Sequence, residues 1–121
     1  MANILIVDDD AFMRNSFQFT LENGEHKVVG QAKDGEEALK MYKQFKPDIV
    51  TLDILMTGMN GITVLNKLKE LDPKAKVIMV TVLATEDLKA EVASLGAMGY
   101  IRKQFKQAEI MAEVERVMKI K

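Results

Sequence analysis

Short runs of apolar, β-branched residues alternate along the chain with stretches whose apolar positions recur every three or four residues. Asn3 to Val7 is the first such run and reads as a buried strand ending at Asp8. Phe12, Met13, Phe17, Thr20 and Leu21 follow at helical spacing, and Asn23-Gly24 stops that helix. Lys27 to Ala32 predicts a second strand. Asp34-Gly35 caps a helix running through Phe45, with Ala38, Leu39 and Tyr42 on one face. Asp48 to Leu52 is a third strand and again ends on an aspartate, Asp53.

The second half keeps the rhythm. Thr57 to Gly61 is a loop, and Ile62 to Leu71 is a helix with Ile62, Leu65 and Leu68 inward, closed by Asp72-Pro73. Lys76 to Val80 is a fourth strand ending at Thr81. Thr85-Glu86-Asp87 opens a helix with acid in its first turn, where the helix dipole favours it, and Gly96 closes it. Met98 to Ile101 is the fifth strand, followed by Lys103. Ala108 to Met118 is the last helix, with Ile110, Met111, Val114, Val117 and Met118 as its apolar positions. Five strands alternating with five helices predict an α/β fold, a doubly wound five-stranded parallel sheet with helices on both faces. The ligand crevice of such a sheet lies at the carboxyl ends of its strands. That rule brings Asp8, Asp9, Asp53, Thr81 and Lys103 to one rim.

Composition changes the picture by exclusion. A chain of 121 residues is too short for two ordinary cores, so one domain over 1–121 is expected, with no output domain after it. Its 48% hydrophobic and 29% charged residues suffice for a core and exclude global disorder. Lys+Arg total 17 against 18 Asp+Glu, which gives no basic field for nucleic acid or a membrane surface. Cysteine is absent, which excludes disulfides, thiol catalysis and cysteine-bound metal. The first residues do not read as a signal peptide, and no stretch nears the ~18 apolar residues of a membrane span, so a cytoplasmic location is expected. The nine methionines read as core filler, with Met59 in its loop undecided, and His26 reads as a solvated turn residue.

The rim carries the candidate chemistry. An isolated Asp-Asp pair is most simply a cap or turn, and Asp10 reads as the cap of the first helix. Asp8 and Asp9 at a strand end, facing Asp53 at another, read differently. Converging carboxylates repel and need a cation or raised pKa values. A hard divalent ion such as Mg²⁺ suits oxygen ligands, and the Lys103 ammonium adds positive charge. Thr81 offers a hydroxyl to an oxyanion. Such a rim can stabilise a phosphoryl group and offers a carboxylate to accept it.

The motifs Ile4-Leu5-Ile6-Val7-Asp8-Asp9, Pro47-Asp48-Ile49-Val50-Thr51-Leu52-Asp53, Met59-Asn60-Gly61, Val80-Thr81 and Gly96 to Lys103 occur in order across nearly the whole chain. Together they resemble the receiver domain of two-component response regulators, the stand-alone CheY-like kind, whose fold is the flavodoxin-like (βα)5 sheet. The resemblance implies that Asp53 is the phosphoacceptor. It implies that Asp8, Asp9, Asp53 and the main-chain carbonyl of Leu55 hold Mg²⁺. Thr81 then follows the phosphoryl group, Lys103 pairs with its oxygen, and Tyr100 is the aromatic switch that moves with Thr81. The implied donor is a sensor histidine kinase or histidine phosphotransfer protein. The output is the binding of a downstream target protein, with a weak likeness to the chemotaxis branch through Asp8 to Arg14.

Several positions depart from the family pattern. Gln104 stands where proline usually follows the lysine, which predicts a trans peptide and a less firmly held Lys103. Thr57 replaces a loop proline, which predicts a looser Thr57-Gly58. Val82 replaces a small residue and narrows the approach to Asp53. Leu55 and Leu83 offer no polar group to orient an attacking water, which predicts slow loss of phosphate. A phosphorelay intermediate and an interaction module that takes no phosphate are the alternatives. A phosphatase acting on external substrates needs an acid where Leu55 stands, and a flavin binder needs a Ser/Thr/Gly-rich loop where Asp8-Asp9-Asp10 stands.

Overall fold

The computed structural model describes residues 1–83 and 85–120. The expected chain end at Lys121 lies outside them. Five parallel strands form one sheet: β1 (Asn3–Val7), β2 (Lys27–Ala32), β3 (Ile49–Leu52), β4 (Val77–Thr81) and β5 (Gly99–Arg102). Helices α1 (Ala11–Asn23), α2 (Gly35–Phe45), α3 (Gly61–Leu71), α4 (Glu86–Ser94) and α5 (Gln107–Met118) connect or follow them. The strand order is β2-β1-β3-β4-β5. The chain steps outward from β1 to β2 and then crosses back over β1 to place β3 on the other side. With right-handed crossovers, that reversal puts helices on opposite faces and opens a crevice between the carboxyl ends of β1 and β3.

Both faces are sealed by apolar side chains. Leu5, Val7, Val50, Leu52, Val77 and Met79 meet Ala38, Tyr42, Val64, Leu65, Leu68 and Val92 from α2, α3 and α4. Ile4, Ile6, Ile49, Ile78, Val80 and Ile101 meet Phe17, Leu21, Ile110, Val114 and Val117 from α1 and α5. The central strands β1, β3 and β4 are buried on both sides, which is why their runs are continuously apolar, whereas the edge strands β2 and β5 are partly exposed. Helix starts follow local chemistry. Asp10 accepts from the Phe12 N–H at 2.9 Å, Asp34 from Glu37 N–H at 2.9 Å, Asn60 from Thr63 N–H at 3.0 Å and Thr85 from Leu88 N–H at 3.2 Å.

Two expectations need correction, at Phe12 and His26; a third needs extending, and the β5 edge adds a feature of its own. Phe12 points to solvent, 75% exposed, because Met13 and Phe17 take the inward face of α1. Val64 is fully buried and joins Leu65 and Leu68 on the inward face of α3, with Ile62 partly buried against the same core. The free edge of the sheet at β5 is not open: Glu113 accepts the Tyr100 N–H at 2.9 Å and Arg116 donates to the Met98 carbonyl at 2.6 Å. Those two α5 side chains cover the edge that would otherwise invite another strand. His26 is no free turn residue, since its Nδ1 accepts the Ala2 N–H at 3.0 Å.

Candidate functional site

The two-residue period of a strand puts Ile4, Ile6 and Asp8 in one column and Ile49, Thr51 and Asp53 in the next. β1 and β3 pair with Ile6 opposite Thr51, so Asp8 and Asp53 emerge side by side just beyond the last paired rung. Asp8, Asp53 and Thr81 are among the few buried polar residues, and each lies at a strand end. The carboxylates of Asp8, Asp9 and Asp53 offer oxygens that all lie within 4.8 Å of one another. Lys103 reaches in from the end of β5, its Nζ 2.9 Å from Asp8 Oδ2 and 2.9 Å from Asp53 Oδ2.

Backbone and loop groups set each carboxylate. Asp8 Oδ1 accepts the Asp10 N–H at 2.9 Å, and Asp53 Oδ1 accepts the Leu55 N–H at 3.2 Å. Asp9 Oδ2 accepts both the N–H and the hydroxyl of Thr57, at 3.0 and 3.2 Å. Gly61 lies hard behind Asp53: a Cβ there would stand 2.1 Å from the Asp53 carbonyl oxygen and 2.6 Å from Ile54 Cα. Only glycine lets α3 start this close to the site. Arg14 holds the β1 exit by donating to the Asp8 carbonyl at 2.7 Å and to Gln31 at 3.2 Å.

Burial pushes the Asp53 carboxyl above its ordinary value, Lys103 draws it back, and the Asp8 charge adds to the rise. Burial alone would lower the Lys103 pKa, but its hydrogen bonds to Asp53 and Asp8 prevail and hold it above the usual lysine value. Three carboxylates against one ammonium leave a net charge of −2 at the rim. An all-oxygen donor set of that charge, with Asp9 open to solvent, fits a hard divalent cation.

Thr81 and Tyr100 are joined. The Leu83 N–H donates to Thr81 Oγ1 at 3.3 Å, and the Tyr100 hydroxyl donates to the Leu83 carbonyl. One residue therefore bridges the buried hydroxyl of β4 to the ring on β5. Burial raises the Tyr100 pKa, which keeps that hydroxyl a donor.

Two expectations about looseness fail. The Lys103-Gln104 bond is trans, as expected, but Lys103 is held by two carboxylates and by its own N–H on the Thr81 carbonyl at 2.8 Å. Gln104 absorbs the turn instead, at φ 72°. Thr57, expected to be looser for want of a proline, is tied to Asp9. Val82 points largely to solvent, and Leu83 packs against the α2–α4 side of the sheet. Leu55 is half exposed beside Asp53. Arg14, Gly61 and Thr57 are site residues whose roles the motifs do not assign. No signal short of the folded loop could have placed Thr57 on Asp9, 48 residues away.

Residues 4–115 match the model of the response regulator receiver domain. The chain is 42% identical over 118 residues to protein CcdB of Bacillus subtilis, covering 98% of each. It is 37% identical over 116 residues to the chemotaxis protein CheY of Thermotoga maritima, covering 96% of this chain and 97% of that one. Among solved structures, CheY of Borrelia burgdorferi in the CheX-CheY-BeF3-Mg²⁺ complex superposes with a TM-score of 0.93 at 37% identity, covering 98% of this chain and 90% of that one. The chain belongs to the response regulator receiver family. It is a CheY-like phospho-accepting regulator of two-component signalling.

Proposed function

We propose that Asp53 is the acceptor and that the rim around it is the phosphotransfer site. The observation that carries this reading is Lys103 Nζ at 2.9 Å from both Asp8 and Asp53, inside a cluster of three carboxylates. Asp8, Asp9, Asp53 and the main-chain carbonyl of Leu55 would hold Mg²⁺. When bound, that ion supplies charge neutralisation for the incoming phosphoryl oxygens. An Asp53 carboxylate oxygen attacks phosphorus, and the bond from phosphorus to the donor's ring nitrogen breaks with its electron pair left on nitrogen. Lys103 then has a phosphoryl oxygen to pair with in place of the Asp53 carboxylate. Thr81 supplies a hydroxyl to a second oxygen, and its movement reaches Tyr100 through Leu83.

The donor in this reading is the phosphohistidine of a sensor kinase or phosphotransfer protein. The output is altered binding of a downstream target protein, and the CheY relatives favour a chemotaxis-type partner. With Leu55 two residues after Asp53, no acid stands ready to protonate a leaving group, so the chemistry is confined to the chain's own phosphorylation and dephosphorylation. The test is intact mass after treatment with a small phosphodonor and Mg²⁺. Wild type should gain one phosphoryl group and Asp53→Asn none, with the fold retained. Full phosphorylation of Asp53→Asn would move the acceptor elsewhere.

A further inference from the structure

Thr51 stands in β3 two residues before Asp53 and on the same face, and its partner on β1 is Ile6, two residues before Asp8. Its other strand neighbour is Ile78. Thr51 is thus a polar residue set among isoleucines directly beneath the carboxylate rim. It is 1% exposed, and its Oγ1 has no hydrogen-bond partner in the protein, alone in this among the buried side-chain polar atoms of the described residues. A buried hydroxyl without a partner is destabilising relative to a methyl group of the same size. Beside Thr51 lies a small, partly enclosed space with room for about 10 Å³. Ile6, Met13, Phe17 and Val80 wall it, and Asp8 and Thr51 are its polar contributors. That volume is about what a single water requires, and a water needs two or more polar partners to stay.

We propose that one buried water occupies this space, accepting from the Thr51 hydroxyl and donating to the Asp8 carboxylate, and that Thr51 is thereby a positioning residue for Asp8. Asp8 has room for the bond. Its Oδ1 takes the Asp10 N–H and its Oδ2 the Lys103 ammonium, whereas a carboxylate offers about four acceptor positions. The water holds Asp8 from the core side while Asp10 and Lys103 hold it from the rim. Valine at position 51 would leave Asp8 as the sole polar wall, and apolar cavities of this kind stay dry. The link to Asp8 as a cation ligand rests on the function proposed above, whereas the water itself does not.

The test uses the whole chain with Thr51→Val, which keeps shape and removes the hydroxyl, and Thr51→Ser, which keeps the hydroxyl. High-resolution crystal structures should show the water in wild type and Thr51→Ser and lose it in Thr51→Val. Metal-free Thr51→Val should melt lower by about 2–6 °C, the loss of about one buried hydrogen bond. Its Mg²⁺ affinity should fall about threefold to tenfold, less than the about 10–100-fold of a direct partner to a metal ligand, while Thr51→Ser keeps wild-type affinity. A dry space in wild type, or a Thr51→Val protein as stable as wild type or more so, overturns the proposal. A lower melting point with unchanged Mg²⁺ affinity overturns the coupling to Asp8. If wild type binds no Mg²⁺ at all, the function proposed above fails, while the water and the sign of the melting shift still report on Thr51.

Discussion

The two ends of the sheet use the same kinds of polar residue in opposite ways. At the amino end, three polar side chains tie off backbone. Asp48 accepts the Asn3 N–H at 2.8 Å, His26 accepts the Ala2 N–H at 3.0 Å, and Lys76 donates to the Met118 carbonyl at 3.1 Å. At the carboxyl end, Asp8, Asp9 and Asp53 also accept backbone N–H groups, but there the charged side chains face one another as well. Asp8 and Asp53 share Lys103 in a buried setting, and Asp9 stands within reach of both. A carboxylate whose partner is backbone alone, as Asp48 is, serves structure. Carboxylates gathered against each other retain charge in excess, and that excess is what a cation and a phosphoryl group can use. An aspartate at a strand end therefore carries little meaning by itself, and its partners decide its role.

The comparison breaks most visibly at Lys103. Lys103→Met leaves Asp8 and Asp53 buried and unpaired, so metal-free stability at neutral pH should fall by about 3 kcal/mol. Urea unfolding with and without Mg²⁺ checks this, and the metal should restore much of the loss. A mutant as stable as wild type without metal would mean that Lys103 does not compensate the rim. Asp48→Ala at the other end should cost about 1 kcal/mol or less, the worth of one exposed hydrogen bond to backbone, and should leave Mg²⁺ affinity unchanged. An altered affinity would show that the two ends are not independent.

The smallest effect concerns His26. Its pKa is lowered by burial and then by the amino-terminal charge, against a smaller upward pull from Glu115. The unfolded chain therefore binds the proton more readily than the folded one. Stability should fall as pH drops through the ordinary histidine value of about 6.5 and level off below the lowered folded value. His26→Gln should flatten that part of the stability profile measured by urea titration. An unchanged slope would assign the pH dependence to other groups.

Sequence alone exposed the architecture because the three central strands are buried on both faces and four of the five helix starts carry a side-chain cap. Asp10, Asp34 and Thr85 could be read locally since their partners lie two or three residues away. The rim was legible in outline for a similar reason, because strand ends are defined by where apolar runs stop. The misses share a different cause. Phe12 and Met13 are adjacent on a helix and only one can face the core, a choice made by α5 and the sheet. His26 with Ala2, and Thr57 with Asp9, join positions 24 and 48 residues apart, and composition at either end says nothing of the partner. Thr51 was hidden inside an apolar strand because its isolation only exists once Ile6 and Ile78 are packed beside it.

The claim that the carboxyl rim is one unit of excess charge is tested most directly by thermal melts with and without Mg²⁺ at about millimolar concentration, on wild type and on Asp8→Asn, Asp9→Asn and Asp53→Asn. Wild type should melt higher with Mg²⁺, since the ion binds the folded chain preferentially. Each substitution should shrink that rise, and Asp53→Asn should melt higher than wild type without metal, because burial of the charge, with repulsion from Asp8 added, outweighs its pairing with Lys103. A wild-type melting point indifferent to Mg²⁺, or a rise left intact by all three substitutions, would contradict it.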